Sequence, residues 1–214
     1  WTAIVVGKDS PLKSLRDLKG KKIAATRGTD PWFFLLRSLQ TVGLTQNDVE
    51  IVPLQHPDGR IALERGQVDA WAGLDPHMAA SQLDAGSRLL YRNVAFNTYG
   101  SLNAREDFLA AHPDVVEIVL KQYARARKYA AEHVDETASL LAEASKVEPR
   151  VAQLQLRERT KYPGSGVPDR AFHDAVAGVV TFVRSENLAK PGADLEAAAA
   201  SLADAKPASL ALRG

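Results

Sequence analysis

Short apolar runs alternate with amphipathic stretches along the first hundred residues. The apolar runs are rich in aliphatic and β-branched side chains, as is typical of buried strands, and lie at Ala3–Val6, Lys21–Thr26, Glu50–Leu54, Val68–Ala72 and Arg88–Tyr91. The stretches between them have helical spacing or helix-boundary residues, and they lie at Ser14–Leu18, Asp30–Val42, Pro57–Arg65 and Pro76–Leu83. This alternation predicts an α/β fold with a parallel sheet and right-handed crossovers.

The second half of the chain has a different pattern. After an extended stretch at Phe96–Ala104, the spacing predicts helices and almost no strands, at Glu106–Ala111, Pro113–His133, Asp135–Ala144, Pro149–Arg159 and Asp169–Ser185. The Ala-rich tail from Leu188 to Gly214 is expected to wrap a surface. The long helix that begins at Pro113 carries one apolar stripe, so we expect it to cover a sheet that these helices do not themselves supply.

The segment IAATRGTDPWFFLL is a strand, a small turn and a helix start. Asp30 is a good N-cap residue and Pro31 suits the first helical position, so the turn has a purely structural interpretation. The alternative is functional, because a helix N-terminus presents free N–H groups to an anion.

Two further stretches contain candidate ligand-binding residues. Trp71 and Asp75 in DAWAGLDP end a predicted strand, and ligands of open α/β sheets bind outside such strand ends. The structural alternatives are that Trp71 belongs to the core and that Asp75 caps the next helix. Asn97 and Tyr99 lie on the extended stretch and are either ligand contacts or ordinary strand residues. Arg159, near the end of a helix, is either a ligand contact or a solvated side chain.

The amino-acid composition excludes several classes of protein. The 214 residues carry 27 basic and 26 acidic side chains, a net charge of +1, which gives no indication of nucleic-acid binding. The absence of cysteine excludes disulfides and thiol catalysis and fits an oxidising compartment. The five histidines have no metal-ligand spacing, and no catalytic motif occurs, so we expect no cofactor, no metal and no enzymatic activity. No apolar run approaches the length of a membrane span.

Three stretches in this order, DSPLKSLRDLKGKKIAATRGT, ERGQVDAWAGLDPHMA and NAREDFLAAHPDVVEIVLKQYARA, resemble the periplasmic solute-binding proteins of ABC transporters. The most similar group binds aliphatic sulfonates, taurine and nitrate. The resemblance implies a type II periplasmic-binding-protein fold, in which two lobes joined by crossover strands close on a ligand. It also favours the functional interpretation of the Thr26–Pro31 turn, where the anionic head of a ligand would bind. The resemblance implies that the N–H groups of Thr29 and the next residues, with the Thr29 hydroxyl, act as donors. Gly28 would allow close approach of the backbone.

The resemblance also suggests how the chain is divided. Residues 8–95 would form lobe two, residues 1–7 and 96–104 the crossover strands, and residues 105–214 the helical completion of lobe one. The N-terminal part of lobe one would be absent, and a chain that begins with Trp1 at once in a strand would be processed or incomplete. Closure would bend the chain at Gly7 and at Phe96–Gly100.

The function that the resemblance implies is capture of a small organic anion in the periplasm, by a monomer, for delivery to a membrane permease. Alkanesulfonates or taurine-like compounds are the leading ligands, and nitrate-like anions follow. Two alternatives stay open. One is an enzyme on the same fold, of the desulfinase or pyrimidine-precursor synthase type. Such enzymes often use a cysteine or histidine nucleophile, and the absence of cysteine argues against the desulfinase type unless the catalytic residue lies in the absent part of lobe one. The other is the ligand-sensing domain of a regulator.

Overall fold

A mixed sheet lies at the centre of the N-terminal half in the computed structural model, which describes residues 1–96, 99–162, 164–185 and 187–212. Its strands are β1 (Thr2–Val6), β2 (Lys22–Ala25), β3 (Glu50–Pro53), β4 (Ala70–Leu74) and β5 (Arg88–Tyr91). The spatial order is β3-β2-β4-β1-β5. β2 pairs in parallel with β3 and β4, whereas β1 pairs antiparallel with both β4 and β5.

The sheet therefore differs from the expected parallel one at β1. This strand runs against its neighbours, with Thr2 opposite Leu74 and Val6 opposite Ala70. All five of its residues are buried, as the β-branched sequence TAIVV predicts. Hydrophobic pattern identifies a buried strand but carries no information about its direction, which is why the sequence did not reveal this insertion.

Helices connect the strands as predicted. They are α1 (Asp30–Gln40), α2 (His56–Glu64) and α3 (His77–Ala85), with short 3₁₀ turns at Leu15–Leu18, Gln46–Asp48 and Val94–Phe96. One face of the sheet packs against α2 and α3 in a core of small and aliphatic side chains around one tryptophan, namely Ala3, Val5, Ala24, Ala62, Leu63, Val68, Trp71 and Met78. Helix α1 contacts β1, β2 and β4.

Helical segments follow the sheet. They are α4 (Glu106–Ala111), α5 (Pro113–Glu132), α6 (Val134–Ser145), α7 (Pro149–Leu154) with a π-helical turn at Gln155–Arg159, α8 (Arg170–Ser185), α9 (Leu195–Ser201) and α10 (Ala205–Ala211). No strand occurs beyond residue 105 in the described ranges. The tail thus contains two helices, which the sequence analysis missed although alanine has the highest helix propensity. Asp194 and Asp204 cap them by accepting hydrogen bonds from Ala197 and Lys206 N–H.

The chain divides into two compact units. The first contains Trp1–Asn97 and Val134–Thr160, and the second contains Thr98–His133 and Lys161–Gly214. This division differs from the predicted segments, because α6 and α7 belong with the sheet: Val151 of α7 packs against Ala79 and Ala80 of α3. The assignment of residues 8–95, 1–7 with 96–104, and 105–214 to lobes stays a prediction.

The second unit is helical in its described residues. α5 contacts α4 and α10, and α8 contacts α9. The stripe predicted on α5 is exposed, with Ile118 at 59% and Tyr123 at 52% of their full accessibility. Throughout the described part of the chain, no helix has both the length and the apolar character that crossing a bilayer requires.

Candidate functional site

Four segments meet at one edge of the sheet. The parallel strands β2, β3 and β4 end there, and they are followed by the turn Thr26–Asp30, by His56 and by Asp75. Because β1 is antiparallel to β4, its first residues lie at the same edge, where the Asp75 N–H donates to the carbonyl of Trp1 over 3.2 Å. Carboxyl ends of strands are where open α/β sheets bind ligands, so this edge is the candidate site.

The turn at the end of β2 is built around Thr29. Thr29 is the N-cap of α1, with φ −112° and ψ 166°, and Asp30 is the first helical residue. The expectation that Asp30 is the N-cap is therefore wrong. Pro31, which has no N–H and a fixed φ, is accommodated equally well in the second position, which leaves the extended cap position to Thr29. Gly28 has φ +73° and no atom near the position that a Cβ would occupy, as expected for an open turn.

The donors of this turn differ in availability. The Thr29 hydroxyl donates to the carbonyl of Thr26 over 2.6 Å, so its proton is already engaged and only its lone pairs are free for a ligand. The N–H groups of Trp32 and Phe33 both point to the carbonyl of Thr29, at 3.0 and 3.1 Å. Within the described residues no partner is recorded for the N–H groups of Thr29 and Asp30. These two backbone donors are therefore what the turn offers to an anion.

His56, which the sequence analysis did not select, is joined to this turn. The Thr26 hydroxyl donates to the carbonyl of Leu54 over 2.7 Å and lies 3.2 Å from Nδ1 of His56. A hydroxyl has one proton, and the carbonyl of Leu54 can only accept it, so Nδ1 carries a proton and donates to Thr26. The sequence signal was the position of His56 just beyond a predicted strand end, which was overlooked because no metal-ligand spacing accompanied it.

Burial and nearby charges shift the pKa values of two histidines, His56 and His77. Burial lowers the pKa of His56 below its ordinary value, while the Asp30 carboxylate acts in the opposite direction. Burial also lowers the pKa of His77, and the positive charges of Arg60 and His56 add to that effect. His77 is half-buried at the start of α3. At neutral pH both imidazoles are therefore mainly uncharged.

Asp75 forms a buried ion pair at the end of β4. Its Oδ1 accepts from Arg159 Nη1 over 2.6 Å and from the Ala79 N–H over 3.0 Å, and the other guanidinium nitrogen, Nη2, donates to Gln82. Burial raises the pKa of Asp75, and Arg159 and the Ala79 N–H oppose that rise. The Asp75 carboxylate therefore accepts from an N–H in the first turn of α3, although the N-cap position itself is Pro76. A solvated Arg159 is wrong, because its side chain is only 3% exposed.

Three further residues, Trp71, Asn97 and Tyr99, are predicted ligand contacts. Trp71 is 1% exposed and lies in the core, which favours the structural of its two interpretations. Tyr99 belongs to the second unit, where its ring meets Phe172 edge-on at 5.4 Å, and it is 45% exposed. Asn97 lies outside the described residues. Ligand contacts by these three residues stay predictions.

Among the residues that the structure describes, no group of three or more histidine, aspartate or glutamate side chains is arranged to hold an ion. The edge therefore offers backbone donors, one imidazole and one carboxylate at the turn, with the Asp75–Arg159 pair beside β4. Such a set can bind a small polar or anionic molecule by hydrogen bonds and charge.

Comparison with known proteins identifies the family of the chain. The family described as NMT1/THI5 like matches residues 1–137, and the chain belongs to this family. A protein of Escherichia coli K12 named for aliphatic sulfonate binding is 39% identical over 110 residues, covering 51% of this chain and 33% of the relative. A Bacillus subtilis protein with the same name is 33% identical over 156 residues, covering 72% of this chain and 47% of the relative.

Solved structures give the same fold class. The periplasmic aliphatic sulphonate binding protein SsuA from Escherichia coli superimposes with a TM-score of 0.76 at 26% identity, over 91% of this chain and 63% of that one. The type II periplasmic-binding-protein fold is thereby confirmed. The desulfurization enzyme DSZB shares the fold alone, with a TM-score of 0.68 at 20% identity over 99% of this chain and 75% of that one. The chain spans between a third and a half of the two sulfonate-binding relatives.

Proposed function

We propose that this chain is part of a solute-binding protein that captures a small organic anion, with alkanesulfonates and taurine-like compounds as the leading ligands. The observation that carries this proposal is the turn at the end of β2, where the N–H groups of Thr29 and Asp30 lack partners within the described residues. A sulfonate accepts several hydrogen bonds and carries a delocalised negative charge, which suits a helix N-terminus. The sulfonate-binding names of the relatives support the same ligand class.

The ligand would be held chiefly by the backbone of Gly28, Thr29 and Asp30. Asp75 is occupied by Arg159 and Ala79 through Oδ1, but its buried Oδ2 has no partner in the described residues, so a donor on the ligand would satisfy it. Trp71, Asn97 and Tyr99 complete the proposed set, with Trp71 acting through the packing beneath the edge. Delivery to an ABC permease, action as a monomer and a periplasmic location are further parts of the proposal.

Calorimetric titration tests this function. The full-length protein is titrated with propane-1-sulfonate, taurine, nitrate and sulfate at pH 8 and pH 6, and a saturable heat is expected for at least one sulfonate. Absence of saturable heat for every anion at both pH values would overturn the proposal.

An enzyme on the same fold is the second candidate, because DSZB has this architecture. Binding and catalysis differ in turnover. Incubation with a sulfonate followed by a sulfite assay distinguishes them: a solute-binding protein releases none, whereas steady release of sulfite would favour the enzyme.

A further inference from the structure

We propose that His56 is a ligand-binding residue of the anion site and that it takes up a proton at Nε2 when the anion binds. The inference rests on the proposed function. It begins from an electrostatic conflict at the turn, since Asp30 places a carboxylate beside the two backbone donors that would hold an anion. Two negative charges at one edge repel each other unless a positive group lies between them.

The geometry assigns that group to His56. Its ring is held at the turn by Thr26, whose hydroxyl bridges the carbonyl of Leu54 and Nδ1 of the imidazole. Thr26 also accepts, through its carbonyl, the hydrogen bond from the Thr29 hydroxyl. The ring is thus connected by consecutive hydrogen bonds to the residue that caps α1.

The same bonds determine where a proton can be added. Nδ1 already donates to Thr26, so the lone pair is on Nε2. Nε2 has no recorded partner in the described residues, and it is not among the buried atoms that lack one, so it reaches solvent. Protonation therefore requires no rearrangement of the Thr26 bridge and gives the ring a second, charged N–H donor.

The charged neighbours of His56 favour this uptake once a ligand is present. Asp30 on α1 attracts the imidazolium. A charge on His56 lowers the pKa of His77 on α3, which Arg60 of α2 lowers as well. Arg60 is itself paired with Glu64 and with Asp84. In the free protein burial keeps the ring neutral, and an anion at the turn adds a second negative charge that favours the imidazolium.

The consequence is a linkage between pH and affinity. Because the bound state holds the proton more tightly than the free state, affinity for an anion rises as the pH falls through the pKa of His56. If binding raises that pKa by about one unit, affinity at pH 5.5 exceeds affinity at pH 8 by up to about tenfold. His112, an exposed histidine of the second unit, provides the comparison.

The test measures proton uptake directly. The full-length protein is titrated with propane-1-sulfonate at pH 6.2 in buffers of different ionisation enthalpy, and the dependence of the observed heat on the buffer gives the protons bound. The wild type should take up a fraction of a proton, His56→Gln close to none, and the control variants His77→Gln and His112→Gln a clearly measurable fraction. The Asp30→Asn variant should bind propane-1-sulfonate more tightly than the wild type at pH 8, and it should take up a smaller fraction of a proton on binding.

Each outcome is decisive. Sulfonate binding without proton uptake, or uptake that survives His56→Gln, overturns this inference and leaves the proposed function intact. If the wild type shows no saturable binding of any of the anions at pH 6 or at pH 8, both this inference and the proposed function are overturned. If His56→Gln does not fold, as judged by its melting curve, Asp30→Asn decides: unchanged uptake and affinity would overturn the inference.

Discussion

Arg159 and Asp75 form an ion pair of 2.6 Å with both side chains almost fully excluded from solvent. The pair joins the π-helical turn after α7 to the end of β4. The other guanidinium nitrogen of Arg159, Nη2, donates to Gln82 of α3. A buried charge without a partner destabilises the folded state by more than the intact ion pair stabilises it. The pair therefore holds the Val134–Thr160 segment against the sheet within the first unit.

Removal of one partner should be strongly destabilising. We expect Arg159→Ala to lower the free energy of unfolding by about 3–5 kcal/mol, because it leaves the Asp75 carboxylate buried without its cation. Urea denaturation measures this change. The matched control is Arg157→Ala, two positions earlier, which removes an exposed pair with Asp135 and should cost less than about 1 kcal/mol. Equal losses for the two variants would contradict the role given to the buried pair.

Gly59 lies directly against Trp71. A Cβ at this position would be 2.7 Å from Nε1 and 2.8 Å from Cδ1 of the indole, which is in the core and cannot move away freely. Gly59→Ala should therefore lower the free energy of unfolding by about 1–3 kcal/mol despite the better helix propensity of alanine. Gly178 in α8 has no atom within 4 Å of such a Cβ, so Gly178→Ala should be stabilising by about 0.5–1 kcal/mol. Thermal melting of both variants checks the opposite signs.

Acid should destabilise the ligand-free protein through His56 and His77. Both have a pKa below the ordinary histidine value of 6.5, so around pH 6 the unfolded chain binds more protons than the folded one. The free energy of unfolding then rises with pH, and this contribution is present above about pH 6.5 and is lost as the pH falls below it. Melting curves from pH 8 to pH 5 should show this decline, and the double variant His56→Gln, His77→Gln should flatten it. A decline of the same size in the double variant would assign the effect elsewhere.

Asp30 should influence the choice between ligands. Since Thr29 is the cap, the stabilising effect of Asp30 is that of a negative charge in the first turn, about 0.3–1 kcal/mol, so Asp30→Ser should change melting only slightly. The same variant should bind propane-1-sulfonate at pH 8 as well as or better than the wild type. It should bind taurine less well, because the ammonium group loses a charge-assisted partner. Titration of both ligands measures this selectivity, and equal changes for the two would leave Asp30 a purely structural role.

Local pattern was sufficient for most elements and insufficient for the contacts of the site. The strand Arg88–Tyr91 and the helix Glu106–Ala111 have the predicted bounds, because spacing and boundary residues are local signals. The strand predicted at Val68–Ala72 lies instead at Ala70–Leu74. Its register is determined by pairing with β1 and β2, which the local sequence does not contain.

The contacts at the candidate site join residues that are distant in sequence. Arg159 and Asp75 are separated by 84 positions, and His56 and Thr26 by 30. No spacing rule within one helix or strand brings such pairs together, so a helix-end arginine was expected in solvent and His56 was not selected. The turn at Gly28–Asp30 was recognised because its whole signal lies within a few consecutive residues.

The position of β1 has a consequence for biosynthesis. Val6 of β1 pairs with Ala70 on one side and with Arg88 on the other, so β1 is flanked by strands that are synthesised much later than itself. At a translation rate of about 5–20 residues per second, the nascent chain carries an apolar strand with two unpaired edges for several seconds. A ribosome that pauses before Arg88 prolongs that exposure. Codon choice and chaperone access in this stretch of the message would therefore govern how much of the protein escapes aggregation.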